Sequence, residues 1–411
     1  MVSNSAARPL PRQRRPGADS PVGGDQPAGG QVITREVAPT GANRMSVVVM
    51  PFSIHGVICG STGDLDVYTD RCCDGRLPSM GATRDWSTEI EVLCGQLKDH
   101  YFNSDVAEQV SALLRRRLVD GSYADLPRDE DFAAAVTGDM QRVNGDKHLY
   151  LAYTTKKLAP AEDPVIHDGP RDPRAAGLDG HGFHEVQRLP GNVWYLDVRR
   201  FWHPDLSGPA AVAVMNLVAD ADALIVDLRL CTGGEPEMVA LVCGYLFDEP
   251  TQLNTLTFPA EGRTVQFWSS AYVPGPRFGG QKPIFVLIGS STFSAAEAIS
   301  YDLQQYRRAT LIGQRTAGGA NFHFPMRVAD HLFSAVPSGY PLHPVSGANW
   351  EGVGVEPDIT VPEEDAVAEA KRRSLEHVLS LGADGPRRAV AEQAEQELRR
   401  LRAGAGAPGR A

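Results

Sequence analysis

The turn around Ser294 has the residue types and the spacing of a nucleophilic site. The apolar run Pro283–Gly289 predicts a buried strand, and a helix is predicted to begin around Ser294 after a turn rich in serine and threonine. A serine at such a junction lies beside free backbone N–H groups and the positive end of a helix dipole. This position suits nucleophilic attack through an acyl intermediate. The alternative is structural, because serine is a common helix N-cap.

A second turn, Asp227-Leu-Arg-Leu-Cys-Thr-Gly-Gly, also follows a buried strand and precedes a helix. Its glycines, Gly233 and Gly234, would let backbone N–H groups approach a developing oxyanion, because neither has a side chain in the way. A glycine pair alone is equally typical of a phosphate-binding or ordinary turn. The two turns together therefore predict a nucleophile beside an oxyanion hole, without establishing it.

Helices are predicted before this region. In the first of them, Ile90, Leu93, Leu97 and Tyr101 fall on one helix face. A second apolar face runs from Val106 to Leu118, and a third helix passes through Phe132, Val136 and Met140. Short connections between the three predict a small helical bundle, which a strand at Leu149–Tyr153 closes.

From Asn192 onward the pattern alternates between strands and helices. Apolar strands are predicted at Val193–Val198, Ala223–Leu228 and Pro283–Gly289, and helices at Gly208–Ala221, Pro236–Phe247 and Phe293–Arg308. Shorter strands are predicted at Thr310–Gly313, Leu332–Val336 and Ile359–Val361. Apolar strands separated by helices favour an α/β fold, in which helices cover both faces of a mainly parallel sheet.

The remaining segments divide the chain. We predict a disordered tail over 1–44, an arm of uncertain structure over 45–84, a helical cap over 85–154, a connecting segment over 155–191, an α/β core over 192–362 and polar helices over 363–411. The last segment is rich in arginine and glutamate and predicts self-association into a homo-oligomer.

Composition excludes several classes of protein. The formal net charge of −11 argues against nucleic acid or an anionic membrane as a partner. The sequence has no apolar run of transmembrane length, and its N-terminus lacks the apolar stretch of a signal peptide. The six cysteines show no metal-type spacing. These features favour a cytoplasmic protein over an exported one, with no metal and no cofactor.

Several motifs, taken in order, resemble a known family. They are Gly145-Asp-Lys-His-Leu, Gly191-Asn-Val-Trp-Tyr-Leu-Asp, Ile225-Val-Asp-Leu-Arg with Gly233-Gly234, Thr292-Phe-Ser-Ala-Ala-Glu, Gly313-Gln-Arg-Thr-Ala-Gly-Gly-Ala and Asn349-Trp-Glu-Gly-Val-Gly-Val-Glu-Pro-Asp. Together they resemble the tail-specific (C-terminal processing) serine proteases. The nearest branch is that of the interphotoreceptor retinoid-binding protein modules and the tricorn protease core. The resemblance covers about residues 85–362.

The resemblance implies a Clp-protease/crotonase-like ββα core behind a helical cap. It also implies Ser294 as the nucleophile, His148 as the general base and Glu351 as the supporting acid. The N–H of Ala295, with that of Gly233 or Gly234, would form the oxyanion hole. The family's PDZ domain has no room between cap and core, so we expect none.

This sequence departs from the family at two points. The turn Thr316-Ala-Gly-Gly-Ala lacks the lysine of the processing branch's Ser–Lys dyad, which points to the tricorn-like arrangement. Lys147 stands where the tricorn pattern has a serine before the histidine, so its supporting role is open. His323 and His343 lie between apolar residues near the proposed site and remain rival bases.

The leading hypothesis is a serine hydrolase that cleaves a peptide or a small amide through an acyl-enzyme. Two alternatives stay open. One is a non-catalytic module that binds an apolar ligand, and the other is an acyl-transfer enzyme that ligates or cyclises its substrate.

Overall fold

The computed structural model describes residues 84–160 and 172–405. The predicted tail and nearly all of the predicted arm lie outside these ranges. So does part of the predicted connection. Within them, no helix is long and apolar enough to cross a membrane.

Nine helices are assigned in the described ranges. They are α1 (Ser87–His100), α2 (Ser104–Val119), α3 (Asp129–Asn144), α4 (Pro173–Leu178), α5 (Pro204–Leu217), α6 (Pro236–Leu246), α7 (Ala295–Gln305), α8 (Ala366–Ser380) and α9 (Arg387–Ala405). Eleven strands are assigned in the same ranges. They are β1 (Tyr150–Tyr153), β2 (Phe183–Leu189), β3 (Val193–Val198), β4 (Ala223–Asp227), β5 (Gln252–Phe258), β6 (Arg263–Trp268), β7 (Ile284–Ile288), β8 (Thr310–Gly313), β9 (Phe322–Ala329), β10 (Leu332–Leu342) and β11 (Ile359–Thr360).

A six-stranded sheet in the order β11-β8-β7-β4-β3-β2 forms the centre of the α/β region. All its neighbouring strands are parallel except β2, which pairs antiparallel with β3. The two central strands, β4 and β7, are buried along their whole length. Parallel pairing brings the carboxyl ends of β4 and β7 to one edge of the sheet. The two glycine- and serine-containing turns follow those ends and are therefore neighbours.

Helices cover both faces of this sheet, as the sequence predicted. On one face, α5, α6 and α7 pack on alternate strand residues such as Leu224 and Val286. On the other, α8 and α9 pack on the residues between them, such as Ile225 and Leu287. The apolar sides of the two polar C-terminal helices are thus used within the chain. Alternation along a strand explains why β4 and β7 must be apolar throughout.

The helical cap shares its apolar core with a second sheet. Helices α1–α3 pack around Trp86, Phe132 and Leu114, and the same cluster includes Leu151 and Val336 from β1 and β10. In this five-stranded antiparallel sheet, β10 pairs with β1, β9 and β5, and β5 pairs with β6. Strands β9 and β10 therefore join the cap to the segments that follow α7.

Candidate active site

Ser294 lies at the N-terminus of α7, directly after the turn that follows β7. Its backbone is strained, with φ 56° and ψ −121°, a conformation that residues with a side chain rarely adopt. The turn is held by Thr292, whose hydroxyl accepts from Gly289 N–H at 2.9 Å and donates to Leu228 O at 2.8 Å. The strain and the bracing together present the half-buried hydroxyl at the sheet edge.

Glu297, the third residue of α7, fixes this turn from inside the protein. Its fully buried carboxylate accepts from Ser294 N–H at 2.8 Å and from the Thr316 hydroxyl at 2.5 Å. It also accepts from Gly318 N–H at 2.6 Å and Gly319 N–H at 2.9 Å. Burial raises the pKa of Glu297, while these hydrogen bonds oppose the shift. Because all four groups donate, the site is built for an ionised carboxylate.

We expect Glu297→Gln to destabilise the protein and to slow acylation of Ser294. In either orientation of the glutamine amide, its NH₂ group would replace an accepting oxygen. That NH₂ would then face two N–H donors, of Ser294 and Gly319, or one N–H and one hydroxyl donor, of Gly318 and Thr316. Loss of such a buried network costs about 3 kcal/mol. Thermal unfolding and the rate of labelling by a serine-directed fluorophosphonate measure the two effects. Exposed Glu356, which pairs with Arg315, gives the control Glu356→Gln. Wild-type stability and labelling in Glu297→Gln would contradict this role.

His148 faces Ser294 from the cap. It lies between α3, which ends at a left-handed Gly145, and β1. Its Nε2 is 3.1 Å from the Ser294 Oγ, and its ring stacks on Phe293 with centroids 4.6 Å apart. Burial, and then the nearby His323, lowers the pKa of His148 well below its usual value. A neutral imidazole in this position can accept the serine proton.

Gly319 makes the contact between the Phe293 and His148 rings geometrically feasible. A Cβ atom there would lie 2.1 Å from the Phe293 ring and 2.9 Å from the His148 ring. Any side chain at this position would displace both rings. The glycine motif after β8 thus serves the packing of His148, beyond providing turn flexibility.

Asp146 is a site residue that the sequence analysis missed. This buried carboxylate accepts from the His148 backbone N–H, the Tyr101 hydroxyl and Asn321 Nδ2, each at 2.9 Å. Asn144 in turn donates to the Tyr101 hydroxyl oxygen at 2.7 Å. Asp146 therefore connects the His148 loop, in the cap, to Asn321, which precedes β9. The available signal was its place in the Gly145-Asp-Lys-His-Leu motif.

Glu351 lies near His148, but its carboxylate accepts hydrogen bonds from other groups. Its carboxylate accepts from Ala320 N–H at 2.6 Å and Asn321 N–H at 3.0 Å. Within the described part of the chain, His148 Nδ1 is buried and has no hydrogen-bond partner. Burial raises the pKa of Glu351 to about 7, and the charge of Asp146 adds to the shift.

The side chains of Asp146, His148 and Glu351 each place one potential metal-ligating atom within 4.8 Å of the others. Tetrahedral zinc with ligands at about 2.0–2.1 Å needs ligand atoms roughly 3.4 Å apart. Both carboxylates also already accept hydrogen bonds from the protein. The 4.8 Å limit includes this separation, so what distinguishes the cluster is that two carboxyl groups, each with protein donors, lie beside one imidazole.

The glycine turn after β4 packs directly against Ser294. A Cβ atom on Gly233 would lie 2.8 Å from the Ser294 Cβ and 2.9 Å from the Ala295 nitrogen. The Gly233 N–H is directed to the buried Cys231 thiol. Bonds from Phe201 N–H to Gly233 O and from Glu235 N–H to Phe201 O turn the Gly234 N–H away from Phe201. Among described residues, neither Gly234 N–H nor Ala295 N–H has a hydrogen-bond partner.

The candidate supporting residues Lys147, His323 and His343 have different positions relative to the Ser294–His148 contact. Exposed Lys147 donates its Nζ to Ala317 O and so ties the cap to the turn after β8. His323 lies with its ring centroid 5.2 Å from that of His148, and burial lowers its pKa to about 4. His343 contacts Asp302 instead, on the far part of α7.

A small apolar cavity lies between the six-stranded sheet and its α5–α7 cover. Its volume is ≈ 20 Å³, and Phe183, Leu196, Met215 and Ile299 are among its lining residues. Sites for drug-sized apolar ligands occupy about 300–1,000 Å³. This cavity therefore gives no support to the binding-module alternative.

Two family models match the chain. Residues 192–361 match Peptidase family S41, and residues 84–175 match the N-terminal domain of Peptidase_S41 in eukaryotic IRBP. The first match contains Ser294, Glu351 and both glycines, and the second contains His148. The two motif-bearing halves of the site thus fall in two matched regions.

Similar proteins include a carboxy-terminal-processing protease of Bartonella bacilliformis, 27% identical over 187 residues. That match covers 43% of this chain and 40% of the Bartonella protein. Among solved structures, a photosystem II D1 C-terminal processing protease aligns with TM-score 0.42 and 14% identity, over 69% of this chain and 94% of that one. The tricorn protease aligns with TM-score 0.43 and 14% identity, over 77% of this chain and 37% of its own.

Proposed function

Because residues 192–361 belong to peptidase family S41 and residues 84–175 to its N-terminal domain, we propose that the protein is a serine peptidase. It cleaves a peptide or a small amide through an acyl-enzyme, with Ser294 as nucleophile and His148 as base. The 3.1 Å contact between His148 Nε2 and Ser294 Oγ carries the proposal, since it joins a nucleophile and a neutral base from two regions of the chain.

In the acylation step, Ser294 Oγ attacks the substrate carbonyl carbon while its proton passes to His148 Nε2. The oxyanion accepts hydrogen bonds from Ala295 N–H and Gly234 N–H, with Gly233 allowing the close approach. The imidazolium then returns the proton to the leaving amine. In deacylation, water attacks the ester carbonyl, His148 takes its proton, and Ser294 is regenerated as the acid leaves.

Glu351 and Asp146 place negative charge beside His148 and would stabilise its imidazolium form. Both carboxylates are held by hydrogen bonds from Asn321, so the two would move together with β9. Lys147 acts as a clasp between the cap and the turn after β8, at a distance from the proton transfers.

The direct test is labelling of the full chain with a fluorophosphonate, mapped by mass spectrometry of its peptides. We expect one adduct, on Ser294. Ser290, an exposed residue of the same turn, provides an internal control because it must stay unlabelled. Incubation with a peptide library, with and without an added amine, then separates hydrolysis from acyl transfer. A folded chain that is neither labelled nor active on the library is not a serine peptidase.

Activity is expected to rise with pH around neutrality because of Glu351. Below a pKa of about 7 this carboxyl is protonated and cannot stabilise a charged His148. The labelling rate should therefore increase through pH 7 and level off above it. Glu351→Gln should remove that inflection and lower the rate at pH 8 by about 100-fold. An unchanged pH profile in Glu351→Gln would exclude this role for the carboxylate.

The stability of the folded protein is expected to change with pH in the direction opposite to the activity. This difference separates a role of Glu351 in activity from misfolding of its variant. A carboxyl whose pKa is raised on folding binds its proton more tightly in the folded state. Its contribution is therefore present below the ordinary pKa of 4.5 and is lost as the pH rises through about 7. Glu351→Gln should then match or exceed the wild-type Tm at pH 8 while labelling slowly.

A further inference from the structure

A second buried pair of ionisable groups lies away from the catalytic contact. His343 Nε2 is 3.9 Å from Asp302 Oδ1, and both side chains are completely shielded from solvent. Within the described residues, neither oxygen of Asp302 has a hydrogen-bond partner, nor has His343 Nε2. Buried polar groups without partners are rare and call for an explanation.

Asp302 and His343 join the helix that follows Ser294 to the loop that ends at Glu351. Asp302 is on α7, the helix that begins directly after Ser294. His343 directly follows β10, at the start of the loop 343–351 that ends at Glu351. The contact therefore connects α7 with the first residue of the loop that ends at Glu351.

The backbone determines which nitrogen of His343 carries the proton. His343 Nδ1 accepts from Val345 N–H at 3.2 Å, so in the neutral ring the proton is on Nε2, the nitrogen nearest Asp302. Tyr301 and Tyr306 pack against the ring, with centroids 5.7 and 5.0 Å away. The Cys243 thiol of α6 and the Tyr306 hydroxyl are titratable groups that also interact electrostatically with Asp302. Asp302 is thus the acceptor that this histidine faces.

The loop beyond His343 is short and closely hydrogen-bonded. His343 N–H donates to Ala348 O at 3.0 Å, and Gly347 N–H to His343 O at 2.8 Å. Asn349 Oδ1 then accepts from Glu351 N–H at 3.0 Å, and Trp350 Nε1 donates to Gly319 O at 2.8 Å. A shift of His343 would therefore pass through this turn to Glu351.

We propose that Asp302 and His343 form a buried polar positioning pair, with Nε2–H facing the carboxyl oxygen at 3.9 Å, that holds the 343–351 loop against α7. The pair touches no substrate and acts through the placement of Glu351 relative to Ser294. Its effect on catalysis rests on the proposed peptidase function, whereas its effect on the loop does not.

Hydrogen exchange of the full chain tests the loop directly. Asp302→Leu should speed exchange across residues 343–351 and leave helix α1 unchanged. Asp302→Asn keeps an acceptor oxygen and should behave as the wild type. Ser300→Ala, which removes another buried polar group from α7, is the matched control. Unchanged loop exchange in Asp302→Leu, or equal changes in α1, would overturn the proposal.

The labelling rate of Ser294 adds a readout that a purely structural role would not move. Asp302→Leu and His343→Phe should each slow labelling about tenfold, and the double variant should be no slower than either, because both remove one interaction. Additive losses would overturn the pairing. If the wild type is not labelled at all, the peptidase proposal fails, and the exchange experiment still decides the role of the pair.

Discussion

Ser294→Ala is expected to abolish fluorophosphonate labelling and to lower peptide cleavage by about 10⁶-fold. The hydroxyl is the only group lost, and the Glu297 hydrogen bond to the backbone of residue 294 remains. The fold and substrate binding should therefore persist. Residual turnover would come from the oxyanion donors at Ala295 and Gly234 and from binding alone.

Ser294→Gly separates the chemistry from the strain. The backbone at this position has φ 56°, which glycine adopts without steric cost. Relief of such strain is worth about 1–3 kcal/mol, so Ser294→Gly should raise Tm above that of Ser294→Ala while staying inactive. Thermal unfolding of the two variants makes the comparison. Full labelling of either variant would mean that another residue is the nucleophile.

The strained backbone of Ser294 also explains why the predicted start of α7 differs from the observed one. A helix from Phe293 to Arg308 was predicted, whereas the structure gives Ala295–Gln305. Helical periodicity does not reveal that Ser294 has a positive φ, because Glu297 and its donors impose that conformation from segments distant in sequence. Similarly, α5 spans Pro204–Leu217 rather than Gly208–Ala221, since Pro204 is acceptable in a first turn.

The sequence predicted most accurately the elements whose burial follows a regular local pattern of apolar residues. The helices α1–α3 each bury one regular face, as Ile90, Leu93 and Leu97 do, so the prediction of three helices was correct. The parallel strands β3, β4 and β7 were also recognisable as apolar runs between helices. Each of these patterns is local, so no tertiary information was needed.

The second sheet was largely missed for identifiable reasons. Strand β10 was predicted only over Leu332–Val336, up to Pro337, and β9, which contains Pro325, was not predicted, because proline ordinarily argues against a paired strand. Strand β6 exposes many of its residues, and so does β2, a strand of the six-stranded sheet that was also missed and that lies at the edge of that sheet, within the predicted connecting segment. Neither has a regular apolar alternation. Only pairing with distant strands specifies these elements.

The site residues also differ in whether the local sequence pattern could predict them. Ser294 and the glycines had a local signal in their turns, where a structural reading stayed open, whereas His148 and Glu351 were predicted only from the family resemblance. Glu297 had a local signal, because a glutamate at the third helical position after a serine forms a capping box. Its burial and its additional donors come from the Thr316–Gly319 turn, which no spacing along the helix predicts.

His148→Ala is expected to lower the labelling rate by on the order of 10⁴- to 10⁶-fold, because among the described residues only His148 has an imidazole nitrogen hydrogen-bonded to the Ser294 hydroxyl. His323 is the rival, with its ring 5.2 Å from that of His148. His323→Ala should slow labelling by less than about tenfold, since it removes only a neighbour of the base. Lys147→Ala, at the exposed residue beside His148, is the control for disturbance of the loop.

Chemical rescue distinguishes a lost base from a collapsed site. His148 is 3% exposed and stacks on Phe293, so its removal leaves a space of imidazole shape next to the Ser294 hydroxyl. Added imidazole should partly restore labelling in His148→Ala, with a pH dependence that follows the free base rather than the protein. The same addition should not accelerate Ser294→Ala, which lacks the nucleophile. If His323→Ala produced the larger loss, or if only His323→Ala were rescued, the proton acceptor would be His323, and His148 would serve to pack Phe293.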